Sequence, residues 1–362
     1  MPNQTDINTE NLTINEINEK RKKDAKRNKT RLRRRVILTL IIATLIEVPL
    51  VFFAARYYEN HKSGASGKGC NFEIPWYEQY NIITHALGTV DGRVETNSKE
   101  AFLESYARGA RVFEADMCLT ADGYLVIRHD FSGTSYYNLE QKTDETDDGQ
   151  IIYGTYMHTK ICYLYTPLDI DGMLSLMEEY RDTYLVTDSK YTDENSVKEE
   201  FRRLNEAIER TGDDELKKRI IVQIYSYDML DWVKSVYDVP SENIILTLYN
   251  MYPRDFEEIG GFCKEKGVPV VAMSCEITEK DAVSTLHGYG VKVYAHTENR
   301  IKQMLSDIRY KGVDGFYSDY VTNEEYSSAY DALYGDEPIP VYSDEMNETE
   351  SPADGENSGE DK

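Results

Sequence analysis

Short apolar runs recur along the middle of the chain and alternate with longer amphipathic stretches. Runs of strand length fall at 81–84, 112–117, 124–129, 184–189, 219–224, 243–248, 268–274, 291–295 and 314–317. Between them, residues 99–109, 168–180, 195–210, 256–267 and 299–312 repeat apolar positions with helical spacing. Asn97, with Glu100 three residues on, reads as a capping box that opens the first of these helices. Strand alternating with helix predicts parallel βαβ units. Nine strands are one too many for an eight-stranded barrel, and the surplus has a local cause. No helix fits between Asp116 and Tyr124, and Asp122-Gly123 is a hairpin-turn signal. The 124–129 strand therefore folds back on the 112–117 strand. The expected fold is α/β, a (β/α)8 TIM barrel with a β-hairpin extension after strand 2. A doubly wound open sheet is the other architecture that this alternation suits.

The pattern breaks at both ends. Residues 36–55, VILTLIIATLIEVPLVFFAA, are apolar except for Glu47 and Pro49. Twenty residues at about 1.5 Å rise span about 30 Å, the thickness of a bilayer core. A cleaved signal peptide is the rival reading, but the run is long for one and ends in bulky residues rather than a small-residue cleavage site. Residues 1–35 hold 11 Lys and Arg against 5 Asp and Glu. By the positive-inside rule they are a basic cytoplasmic segment, and the rest of the chain lies outside the cell membrane. Residues 56–71 are a spacer, 72–335 the folded body, and 336–362 an acidic tail of disordered composition.

The whole chain carries a formal charge of -24, which disfavours a nucleic-acid partner because phosphate backbones attract Lys and Arg. Cys70, Cys118, Cys162, Cys263 and Cys275 are scattered without a CxxC pair, so neither a disulfide framework nor a zinc site is expected. Cys118, Cys263 and Cys275 read as buried small hydrophobes.

The chemistry concentrates in FEADMCLTADGYLVIRHD, residues 113–130. Alternation along a strand puts Glu114 and Asp116 on one face. On its own that face reads as solvated surface. At the mouth of a barrel, two buried acids would instead need a shared cation, and all-oxygen donors favour Ca²⁺ or Mg²⁺. The hairpin returns His129 toward these acids, and His85 ends the first strand at the same mouth. Two histidines beside a metal site suit phosphodiester cleavage, one taking a proton from the nucleophile and one giving a proton to the leaving oxygen. His61 and His287 read as solvated. Segment 131–167, with His158, Tyr136, Tyr137, Tyr153, Tyr156, Tyr163 and Tyr165, reads as a lid or binding loop.

The ordered set His85-Ala86-Leu87-Gly88, Thr96-Asn97-Ser98, Ala101-Phe102, Glu114/Asp116, Thr120/Asp122/Gly123 and His129/Asp130 resembles the glycerophosphodiester phosphodiesterase family. That family is related in fold to phosphatidylinositol-specific phospholipase C. The resemblance runs over about residues 80–322 and ends in GVDGFYSD. It implies a TIM barrel that hydrolyses phosphodiesters, with His85 and His129 as the acid–base pair and Glu114, Asp116 and Asp188 as ligands of Ca²⁺ or Mg²⁺. Lys190 would meet a phosphate oxygen, and Gln223, Tyr225 and His296 would border the substrate. Phospholipid head groups and envelope glycerophosphate polymers are the implied substrates, and a substrate hydroxyl beside the phosphate could attack first. The departures are Ala86 for the family's arginine, Asp188 for a glutamate and His296 for a tryptophan. The HAxG, TNS and VTDxK motifs mark a membrane-anchored subgroup. The reading from another class is an inactive barrel that binds envelope polyanions.

Overall fold

The structure, a computed structural model, describes residues 73–141, 151–249 and 251–335. Residues 36–55, read above as a membrane span, and the tail 336–362 lie outside the described residues. Among the described residues no helix is long and apolar enough to cross a membrane.

Ten strands are described: β1 (Ile82–Thr84), β2 (Val112–Leu119), β3 (Leu125–Ile127), β4 (Leu168–Asp169), β5 (Tyr184–Ser189), β6 (Ile220–Ile224), β7 (Ile244–Thr247), β8 (Val270–Ser274), β9 (Lys292–His296) and β10 (Gly315–Ser318). β1, β2 and β5 to β10 pair in parallel, and β1 contacts both β10 and β2, which closes an eight-stranded barrel. β3 and β4 are the excess. β3 runs antiparallel to the upper half of β2, as the Asp122-Gly123 turn predicts, and Gly123 supplies the positive φ of 80° that the turn needs. β4 is too short to show alternation. Its two residues pair with β3, so the expected 168–180 helix begins at Ile170 instead, capped by the Asp169 side chain.

The other expected helices form at Lys99–Ala107, Glu194–Thr211, Phe256–Lys266 and Ile301–Lys311. Three more, Tyr227–Lys234, Lys280–Gly288 and Asn323–Tyr334, complete the outer layer. The first helix corrects its expected cap. Ser98, not Asn97, accepts the Ala101 N–H, and Asn97 takes a left-handed φ of 49°.

The barrel interior is apolar at its lower end. Ile83, Val112, Val186, Ile221, Ile245, Val270 and Tyr294 meet there with Trp76, from the short helix Trp76–Gln79 that closes the floor. Removing a tryptophan from such a core costs about 3–5 kcal/mol. Asn323, at the start of the last helix, accepts the Ile82 N–H at 2.9 Å and donates to the Ile82 carbonyl at 3.0 Å, so β1 is held at its base by a side chain.

Segment 131–167 is not a bare loop. Helices Gly133–Asn138 and Tyr153–His158 pack with Cys118, Val126, Ile151 and Tyr136 into a second apolar cluster above the hairpin. Arg128 is buried in it, over the rings of Phe131, Tyr136 and Tyr156, with its guanidinium donating to Gln141. Tyr136, Tyr156 and Tyr165 are buried, whereas Tyr137 and Tyr163 stay exposed. Cys118, Cys162 and Cys263 are buried free thiols, and Cys275 is only partly buried. His287 is not merely solvated, because its Nε2 lies 2.8 Å from Asp314.

Candidate active site

The site follows from period two. Ile83, Val112, Val186, Ile221 and Tyr294 face the barrel core, so the residues two further on face it one step higher. Those residues are His85, Glu114, Asp188, Gln223 and His296. Five of the nine candidate site residues thus stand two positions beyond an inward core residue. Asp116 stands a step above Glu114, and the β2–β5 register sets it directly beside Asp188.

Glu114, Asp116 and Asp188 are buried, and each offers an oxygen within 4.8 Å of the others. Glu114 accepts the Ala86 N–H at 2.6 Å through Oε2, while its buried Oε1 has no hydrogen-bond donor. Ala86 can aim its N–H this way because its backbone is left-handed, with φ 48°. Its methyl is fully buried, so the place of the family's arginine is filled by packing. Gly88 completes the turn, since a Cβ there would lie 2.0 Å from Ser105 Oγ. Asp116 accepts from Asn97 Nδ2 at 2.6 Å and lies 2.6 Å from the Lys190 ammonium, which also contacts Asp188.

Lys190 therefore meets acids here, not open space awaiting a phosphate. Gln223 and Tyr225 likewise grip Asp188: Gln223 Nε2 donates at 2.8 Å, the Tyr225 hydroxyl donates too, and Tyr317 orients Gln223 through a 2.6 Å bond. His296 packs its ring 5.9 Å from Tyr317 and 6.5 Å from the exposed Tyr249.

Burial above all, and then Asp116, pushes the Glu114 carboxyl up to about 8. Burial raises Asp188 to about 6 against the pull of Lys190. Burial also opposes charge on Asp116, but Lys190 and His85 outweigh it and hold that carboxyl below its usual range. Three crowded acids share one ammonium and one imidazole, which is a donor set short of positive charge.

The two histidines reach this layer from opposite directions along one edge of β2. β5 occupies the other edge from Val112 to Met117. On the free edge, β1 pairs only up to Phe113, opposite Thr84. From Asp116 upward the same edge belongs to the hairpin, where the Arg128 N–H donates to the Asp116 carbonyl. The backbone of His85 thus comes to that edge from below and the backbone of His129 from above. His85 Nδ1 lies 2.7 Å from Asp319, the residue after β10, and Nε2 lies 3.9 Å from Glu114. A carboxylate only accepts, so Nδ1 carries the proton toward Asp319 and Nε2 faces the acids. Burial disfavours charge on this ring, but Glu114, Asp319 and Asp116 overcome it and raise His85 to about 10. His129 is exposed, with its Nδ1 on Asp130. Burial, with the charge of His85 behind it, lowers His296 to about 4, so that ring is neutral at pH 7.

Asp319, Asn97, Asn299 and Tyr317 are site residues that the sequence reading did not assign. Asn299 donates to Asp319 at 2.8 Å and accepts the Asp319 N–H, which fixes the carboxylate behind His85.

Residues 89–323 match the Glycerophosphoryl diester phosphodiesterase family. The chain belongs to that family. As a member it is a phosphodiesterase, an enzyme that cleaves glycerophosphodiesters. No curated protein matches the chain. Among solved structures, a putative glycerophosphoryl diester phosphodiesterase from Silicibacter pomeroyi is 17% identical, with a TM-score of 0.54 over 70% of this chain and 94% of that one. A glycerophosphodiester phosphodiesterase from Parabacteroides distasonis is 16% identical, with a TM-score of 0.54 over 70% of this chain and 97% of that one. A phosphodiesterase from Oleispira antarctica, in complex with the product sn-glycerol-3-phosphate, is 18% identical, with a TM-score of 0.53 over 70% of this chain and 98% of that one. At these identities the likeness concerns the fold, and it agrees with the closed parallel barrel.

Proposed function

We propose that this phosphodiesterase hydrolyses glycerophosphodiesters by acid–base catalysis between His85 and His129, with a divalent cation held by Glu114, Asp116 and Asp188. The observation that carries the reading is the buried three-acid cluster with the His85 ring beside Glu114. The hairpin that carries His129 pairs with the same strand that carries two of the acids. The donor set fits a hard cation. It is all oxygen, it carries more negative charge than its neighbours balance, and Glu114 Oε1 is buried without a donor. Ca²⁺ and Mg²⁺ are the ions that this chemistry suits, and such an ion would neutralise phosphate charge and acidify a bound hydroxyl.

The chain's own groups do the rest. Asp319 holds the His85 proton on Nδ1, which leaves Nε2 to exchange a proton with the substrate. His129, on the open side, exchanges the second proton. The neutral His296 ring, with Tyr249, borders the substrate without adding charge. The products are sn-glycerol 3-phosphate and a free alcohol. Residues 36–55 act as a single-pass anchor with the barrel outside the cell membrane, which favours phospholipid head groups or envelope glycerophosphate polymers as substrates. The composition of that segment supports this placement.

The test is release of sn-glycerol 3-phosphate from glycerophosphocholine and related diesters, with and without EDTA. Turnover that persists in EDTA, or in both Glu114→Ala and His129→Ala, would contradict the mechanism. Failure on every diester, with the metal still bound, would favour a binding module.

A further inference from the structure

Lys190 stands where the acids need a cation. Its ammonium lies between Asp116, at 2.6 Å, and Asp188, the two carboxylates that the β2–β5 register sets side by side. The same two residues belong to the three-acid cluster whose oxygens lie within 4.8 Å of one another. Oxygens that close leave room for one shared cation at bonding distance, about 2.0–2.6 Å for Mg²⁺ or Ca²⁺. An ammonium in contact with both aspartates and a divalent ion bound to them are therefore mutually exclusive.

We propose that Lys190 is a displaceable placeholder: its ammonium competes with the divalent cation for Asp116 and Asp188, and metal binding frees it to meet the substrate phosphate. This rests on the metal-dependent reading above. Three features of the chain support a side chain that moves rather than one that is fixed. Lys190 follows the last residue of β5, so its backbone is at the barrel rim. Its stem is long and unbranched, and a quarter of the side chain is exposed, so a path toward the mouth is open. Asp188 has other donors, Gln223 and Tyr225, and Asp116 has Asn97, so both acids keep their orientation when the ammonium leaves. The consequence is an order of binding. Before the metal arrives, the positive charge that a phosphate seeks is bound to aspartates. Afterwards the same ammonium is released beside the metal, and the diester finds both charges free to meet it. Metal binds first and substrate second.

The experiment uses the full chain stripped with EDTA and titrated calorimetrically with CaCl2 or MgCl2 alone. Lys190→Met, which keeps an unbranched apolar stem and removes the ammonium, is expected to bind the ion at least about tenfold more tightly than the wild type, because the competitor is gone. In the wild type, mass spectrometry after brief acetylation is expected to find Lys190 protected in EDTA, labelled on adding the ion, and protected again on adding sn-glycerol 3-phosphate. This arm needs no variant, so a poorly folded Lys190→Met does not weaken the test. Equal or weaker ion binding by a folded Lys190→Met, or labelling that ignores the ion, overturns the placeholder and leaves the metal reading intact. No ion binding by either protein overturns both.

Discussion

His85 and His129 both stand beside β2, yet they are supported in opposite ways. His85 belongs to the barrel. It follows β1, Asp319 holds its ring, Asn299 holds Asp319, and the β1–β10 register that pairs Thr84 with Ser318 makes His85 and Asp319 neighbours. His129 belongs to the hairpin. Its side chain is 54% exposed, and its one recorded polar partner is the adjacent Asp130. What positions it is indirect: β3, the Arg128 N–H on the Asp116 carbonyl, and the aromatic packing around Arg128. One histidine is built into the rigid scaffold, and the other is supplied by an added cap.

This contrast can be broken in several ways. The largest expected effect is from His85→Ala, which should lower kcat by about 10⁴-fold, the upper range for a lost proton donor or acceptor. His129→Ala should cost about 10²–10³-fold in kcat, and its melting temperature should stay at the wild-type value because so little is packed against the ring. A large drop in melting temperature for His129→Ala would remove the distinction. Asp319→Asn should lower kcat about 10²-fold with little change in KM, as expected when an orienting partner is lost, and the kcat–pH profile should move to lower pH because a group that raises His85 is gone. Asp130→Asn should do far less. Arg128→Met should cost about 2 kcal/mol of stability in chemical denaturation, since it removes a buried charge and its ring contacts. If the cap positions His129, kcat falls with it.

The contrast extends to stability against pH in EDTA-treated protein. The folded pKa of His85, about 10, lies above its unfolded value near 6.5. The folded state therefore binds the extra proton between those limits. That contribution is whole below about pH 6.5 and is lost as pH rises through about 10. His85→Asn should flatten this part of the melting-temperature curve.

The fold was legible because its signals are local. Each of the nine expected strands forms, and the Asp122-Gly123 turn with the short gap around it was enough to separate a hairpin from a ninth barrel strand. The candidate site was legible where a residue sits two positions beyond an apolar inward one, as Glu114 follows Val112. The residues that escaped notice are those whose role depends on distant partners. Asn97 beside Ser98 has the same capping chemistry as its neighbour, and only the fold shows its amide on Asp116. An acid after a strand, as in Asp319, looks like any loop residue until β10 is seen beside β1. Lys190 was assigned to the phosphate through the family resemblance, but charge pairing across β2 and β5 decides where its ammonium rests.

The floor of the barrel has a practical consequence. Trp76 near one end of the described body packs in the apolar floor with Ile83, and Asn323 near the other is bonded to Ile82, below the rim that carries the candidate site. A bead, a fluorophore or a fusion partner attached through either end is therefore a handle on the closed side of the molecule. Immobilised in that way, the enzyme should turn over a soluble diester at the rate it shows free in solution.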